Sequence, residues 1–220
     1  MQKIYLLIAV MSACASATTL SFVGDLRTDA TFTSCGPSCV LSGSDSDDEY
    51  IQFAAVERDF LVSSTSIVTA ITFSYGGGVN GNGVSIPEGG FEPYLSLFDS
   101  SGNFLASTFF GTTCPPGANT NSSTGNCFDV LLDGGTLSPG TYAITISAFE
   151  NLSFAENLGS GSLADGFTGL GVPGDGNLNY AFDVILQDAS GVPEPATFGP
   201  LALLLCCVIW RKRSLRSVDT

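Results

Sequence analysis

Four carboxylates crowd into one short stretch, SGSDSDDEY, which spans residues 42 to 50: Asp45, Asp47, Asp48 and Glu49. Alternating carboxylates in a loop suit calcium, a hard cation that gathers roughly six to eight oxygen ligands in flexible geometry. The stretch is not an EF-hand, because no glycine and distal glutamate follow at the required offsets. Asp99 or Asp129 could supply further oxygens from a distance. The glycine run GGGVNGNGV lacks the aspartate of calcium-binding glycine repeats and occurs once. The competing reading of the acidic stretch is a solvated loop.

Other chemistry is thinner. The chain contains no histidine, which removes Ser-His-Asp and Cys-His nucleophilic catalysis, His-ligated zinc and His-ligated haem. No P-loop or dinucleotide fingerprint occurs, since GVNGNG is not followed by a helical pattern. A glycosidase needs only two carboxylates, but the body of the chain offers so many that none can be nominated. Sugar platforms usually present exposed Trp or Tyr. Here the lone Trp210 lies at the extreme C-terminus, and the 16 phenylalanines on strand-like runs read as core.

The seven cysteines sort by segment. Cys14, Cys206 and Cys207 fall in apolar end segments, leaving Cys35, Cys39, Cys114 and Cys127 in the body. An even set reads as two disulfides in an oxidising compartment, with three connectivities open. The local pairs, Cys35–Cys39 and Cys114–Cys127, are favoured because each closes a loop rich in Gly, Pro, Ser and Asn that has little apolar content to order it. The spacings match no common zinc site, and CGPSC is one residue too long for a C-x-x-C redox motif.

The elements that must position these groups are strands. β-branched and aromatic runs recur between turn signals: Thr19 to Gly24, Glu49 to Val56, SIVTAITFSY, PYLSLFD, NFLASTFF, FDVLLDG, TYAITISAFE and NYAFDVILQ. In SIVTAITFSY, residues Ile67, Thr69, Ile71, Phe73 and Tyr75 share one face; in the last run Tyr180, Phe182, Val184 and Leu186 do. Ser100-Ser101-Gly102 signals a hairpin, and Pro139 and Gly140 fit the centre of a type II turn. About eight strands predict an all-β, jelly-roll-like two-sheet β-sandwich over residues 18–190. Spacing alone leaves a closed barrel open.

Both ends read as addresses. Residues 1–17 carry Lys3, an apolar run and Ala15-Ser16-Ala17, the layout of a secretory signal peptide. A lipoprotein signal at Cys14 is the alternative, although Met11 suits it poorly. Residues 191–220 hold Val192, Pro193, Glu194 and Pro195, then an apolar stretch at 198–210, then Arg211, Lys212, Arg213 and Arg216. Thirteen helical residues span only about 20 Å against about 30 Å of hydrocarbon. The trailing bases and the boundary Trp210 nonetheless fit a short transmembrane helix with a cytoplasmic stop.

These three parts in this order resemble a PEP-CTERM sorting tail. The resemblance implies a Gram-negative bacterium, transient anchoring in the inner membrane, and processing by an exosortase that reads Glu194 between its prolines. It also implies association with exopolysaccharide, biofilm and surface matrix. In the body, DDEYIQFAAV, FEPYLSLFDSSGNFLAS and LSPGTYAITISAF are similar to phrases of the bacterial pre-peptidase C-terminal type of β-sandwich. That family is accessory and non-catalytic. Against its pattern, VERDFLVSS and the Cys114–Cys127 loop look like insertions.

Charge narrows the partners. Between Thr18 and Val192 two bases, Arg27 and Arg58, face nineteen acids. Such a body repels nucleic acid and anionic lipid. The sequence therefore predicts a non-catalytic exported protein of the cell surface or extracellular matrix, with an exosortase and a surface polysaccharide as partners and calcium as the one cofactor to test. The alternative is a carbohydrate-binding module of the same fold; a glycoside hydrolase ranks behind it.

Overall fold

A computed structural model describes residues 17–29, 31, 55–89, 91–111, 113–149, 151–158, 161–167 and 177–189. Ten strands form: β1 (Ala17–Asp25), β2 (Val56–Val62), β3 (Ser66–Thr72), β4 (Gly78–Val79), β5 (Ser85–Ile86), β6 (Pro93–Phe98), β7 (Phe104–Thr108), β8 (Leu131–Leu137), β9 (Gly140–Ala148) and β10 (Asn179–Asp188). Two short helices, α1 (Leu26–Asp29) and α2 (Phe154–Leu158), and a 3-10 turn at Leu163–Asp165 complete the described elements.

The long strands make two four-stranded antiparallel sheets, ordered β1-β10-β3-β8 and β2-β9-β6-β7, with β4-β5 as a small separate ribbon. The chain is an all-β sandwich. Its pairings nest: β1 with β10, β2 with β9, β3 with β8, β6 with β7. A long antiparallel double ribbon is thus folded so that its successive rungs alternate between the sheets. The tip of that ribbon is the β6–β7 hairpin. There Asp99 Oδ1 accepts from the backbone N–H of Ser101 and Asn103 at 2.8 and 2.9 Å, and Gly102 takes a left-handed φ of 80° that other residues resist.

The core lies between the sheets. Tyr180, Phe182, Val184 and Leu186 of β10 meet Phe60 and Val62 of β2, Leu95 and Leu97 of β6, and Ile144 and Ile146 of β9. On β3 the alternation turns out differently. Val68 and Ala70 point into this core, whereas Ile71 and Phe73 lie on the outer face beneath Ile86 and Ala118.

Two expectations need correction. β2 is Val56–Val62, so VERDFLV, expected to follow a strand ending at Val56, is itself a strand; residues 49–54 of the expected strand lie outside the described residues. Its charges disguised it: Val56, Phe60 and Val62 point inward, and Glu57 and Asp59 point outward. The LSPG segment does not form the expected type II turn. It carries the chain from β8 in one sheet to β9 in the other, and Gly140 lacks the left-handed backbone a type II turn needs. Tyr142 Oη donates to the carbonyl of Ser138 at 2.9 Å, a tyrosine corner that pins this crossover.

Register gives the sandwich two unlike ends. At one end Ala17 pairs with Gln187, Asp188 with Ser66, Ser66 with Leu137, and Val62 with Gly140. The links there are short, and the chain crosses into and out of the sandwich side by side. At the opposite, distal end lie the long connections after β1, β3, β7 and β9.

Candidate functional site

Long loops on a rigid sandwich are the usual place for function, and the distal end carries all of them. The segments 73–89 and 113–130 fold back over the outer face of the first sheet. Cys114 and Cys127 form a disulfide with Cα atoms 5.3 Å apart, closing a loop of sequence separation 13. Inside it, Asn121 Oδ1 accepts from the backbone N–H of Ser123 and Thr124, both at 3.0 Å. The loop docks through Asn119 N–H to the Gly77 carbonyl at 2.9 Å and Val79 N–H to the Gly117 carbonyl at 3.0 Å. Gly76 is required for this contact, since a Cβ there would lie 1.9 Å from the Asn119 carbonyl oxygen.

Beneath the loops sit two buried carboxylates. Asp129 accepts from Thr72 Oγ1 at 2.9 Å, from Tyr75 N–H at 3.1 Å and from Gly76 N–H at 2.8 Å. Burial pushes its carboxyl above the ordinary range, against the downward pull of those donors. Asp183, on the outer face of β10, accepts from Ser21 Oγ and Gly81 N–H, each at 2.5 Å. Both hold polypeptide in place.

Arg58, one of the body's two cations, points inward from β2 and spans the sheets. Its guanidinium donates to Asp29 Oδ2 at 3.0 Å and to the Tyr180 hydroxyl, and lies 5.6 Å from the centre of the Tyr180 ring. Tyr180 Oη in turn donates to Asp29 Oδ2 at 2.8 Å. That bond, with the Thr28 hydroxyl and the Arg58 charge, holds Asp29 below the usual carboxylate range. Burial and the Asp29 bond push Tyr180 up to about 12.

The distal end also carries a row of rings. It runs from buried Tyr94 of β6 through Phe109, Phe149, Phe110 and Phe128 to buried Tyr75 beyond β3, with centroid separations of 6.4, 5.4, 5.7, 5.6 and 4.8 Å. The middle of the row is open to solvent: Phe109 is 43% and Phe110 54% exposed. Phe110 has φ of 59°, the one non-glycine residue with left-handed backbone among the described residues. Beside it a cleft of about 400 Å³ is lined by Phe110, Gly111, Cys114, Thr120, Asn126 and Phe128, and none of the described residues on its wall is charged. Reading phenylalanine as core missed this row. The signal was Phe109-Phe110 running on past the end of a strand into a glycine.

The residues singled out in the sequence are placed unevenly. The Cys114–Cys127 pairing is present. Cys35, Cys39, Asp45, Asp47, Asp48 and Glu49 lie outside the described residues, as do Val192 to Pro195, the 198–210 stretch and Arg211 to Arg213. Among the described residues no helix is long and apolar enough to cross a membrane, and no group of three or more Cys, Asp or Glu side chains could hold a metal. Asp99 and Asp129 sit at opposite ends of the sandwich, each bound by backbone donors. No protein-family model matches the chain, and no curated protein matches it in sequence.

Proposed function

We propose that this chain is an exported, non-catalytic β-sandwich of the cell surface or extracellular matrix, delivered by the signal at residues 1–17 and processed by an exosortase at Val192–Pro195. The observation that carries the reading is the Cys114–Cys127 disulfide, a crosslink that persists in oxidising compartments outside the cytosol. Two further features support it. The chain crosses into and out of the sandwich side by side at Ala17 and Asp188, so both address segments attach at one end and their removal takes only the first residue of the edge strand β1. Asp129, Asp183 and Asp99 each have a carboxylate oxygen engaged by backbone N–H donors. The similarity to the pre-peptidase C-terminal sandwich fits the Asp99–Gly102 hairpin and the LSPGTY corner.

The test is Glu194→Ala in the native host, with cells fractionated and thiols labelled. The wild-type chain is expected outside the inner membrane, trimmed at both ends and disulfide-bonded, while the variant stays in the inner membrane with its C-terminal tail retained. Finding both forms in the cytosol with labelled thiols would refute the proposal.

A further inference from the structure

The two ends of the ring row, Tyr94 and Tyr75, are tied into the surrounding structure, but its middle, Phe109 and Phe110, faces water. We propose that Phe109, Phe110 and the adjoining cleft form a binding face for an uncharged polysaccharide, with sugar rings stacked on the two phenyl faces and hydroxyls meeting Asn126 and Thr120. This names the partner class of the exported protein and rests on the export reading.

Four observations converge. First, exposure: the chain has the means to bury phenyl rings and does so completely at Phe91, Phe98, Phe167 and Phe182, yet leaves two adjacent ones open at 43% and 54%. Second, strain: Phe110 holds a left-handed backbone, φ 59°, that a bulky side chain resists. Strain of this kind persists where surroundings over-determine it and collects at binding sites; here the Cys114–Cys127 crosslink and the Phe128 and Phe149 rings surround it.

Third, chemistry. The cleft offers flat apolar rings beside an amide and a hydroxyl, and none of the described residues lining it is charged. A pyranose has the matching character, an apolar C–H face edged with hydroxyls, and the cleft falls in the size range of small-molecule sites. An anionic polymer would be repelled by a chain of net charge −14. The same charge opposes a second copy of the chain as the occupant. Fourth, position: the row lies at the end opposite Ala17 and Asp188, so a body held by either address segment presents it outward.

The experiment is affinity electrophoresis of the full chain in mild detergent through gels containing dextran, laminarin, mannan or galactan, with alginate as the acidic control. Retardation is expected in at least one neutral gel and not in alginate. Phe110→Ala should weaken it about tenfold, the scale of one well-placed aromatic anchor, and Phe110→Tyr should retain it. Phe110→Gly separates binding from folding. It should lose retardation to the same degree while the melting temperature holds or rises, because glycine accepts this backbone freely. Lack of retardation in every neutral gel, or full retardation of Phe110→Gly, overturns the proposal. So does a wild-type dimer in sedimentation that Phe110→Gly abolishes, which would make the row a self-association surface. Each of these outcomes leaves the fractionation result for Glu194→Ala unchanged, so the two readings fail separately.

Discussion

Each sheet of the sandwich has an outer face to cover, and the chain covers the two by opposite means. Over the second sheet, segment 152–167 lays Leu152, Ala155, Leu163 and Phe167 against Tyr94, Phe98 and Ala143. That cover is held chiefly by apolar burial, with polar ties that include Tyr94 Oη to Glu156 at 2.6 Å and Leu163 N–H to the Gly102 carbonyl at 2.8 Å. Burial, and then Glu156, push the Tyr94 hydroxyl well above its ordinary range. Over the first sheet, segments 73–89 and 113–130 bring only Ile86 and Ala118 to the apolar contact with Ile71, Phe73 and Ala181. Their Gly, Asn and Ser backbone is held instead by Asp129, Asp183 and a disulfide. Apolar contact weakens in proportion to what is removed. A buried carboxylate serving several donors fails as a unit, because its loss strands every donor at once. The first cover should therefore be rigid and brittle, which is the kind of base an exposed, strained Phe110 requires.

The largest effect should come from Asp129→Ala, which leaves Thr72 Oγ1 and the Tyr75 and Gly76 N–H groups buried without acceptors. We expect a loss of about 4 kcal/mol in chemical denaturation, with fast hydrogen exchange across residues 73–89. A loss below that of the next variant would break the contrast between the covers. Phe167→Ala removes a fully buried ring from the apolar cover and should cost about 3–4 kcal/mol, with exchange rising near 152–167 and the first cover unaffected. Replacing Cys114 and Cys127 by serine should cost about 3 kcal/mol by the loop-entropy estimate, and should abolish neutral-glycan retardation if the crosslink holds the Phe110 cleft.

The smallest effects are in pH dependence, where signs matter more than sizes. Asp29 sits below its ordinary pKa in the fold, so its contribution is complete above the carboxylate range and is lost as pH falls through its folded value. Asp129 sits above its ordinary pKa, so its ionisation opposes folding, and its contribution to stability declines as pH rises through the window between unfolded and folded values. Arg58→Met should shift the acid limb of stability to higher pH; Asp129→Asn should remove the decline on the other side. Tyr180 keeps its proton up to about 12 against an ordinary 10.0, so Tyr180→Phe should flatten an alkaline loss of stability confined to that interval. Indistinguishable acid limbs for wild type and Arg58→Met would remove the inter-sheet clip from the account.

Strand periodicity makes the sandwich legible in the sequence. Tyr180, Phe182, Val184 and Leu186 do line the core, and the Asp99–Gly102 tip does turn a hairpin. What periodicity could not show is which face of a strand is the inside. Ile71 and Phe73 are as apolar as core residues because a loop layer covers them. β2 stayed hidden because an inward arginine interrupts its apolar face, and that arginine has its partners far away in sequence, at Asp29 and Tyr180. The disulfide was readable from composition, since a polar loop needs a crosslink. The ring row was not, because exposure of Phe109 and Phe110 depends on where β7 stops, and strand termini are decided by pairing with β6 rather than by local sequence.

The most direct test is the intact mass of the protein recovered from its native host, measured before and after reduction and alkylation. The account predicts a chain trimmed near Ala17 and near Pro193-Glu194-Pro195, with Cys114 and Cys127 alkylated only after reduction. A full 220-residue mass whose body cysteines alkylate without reduction would contradict it.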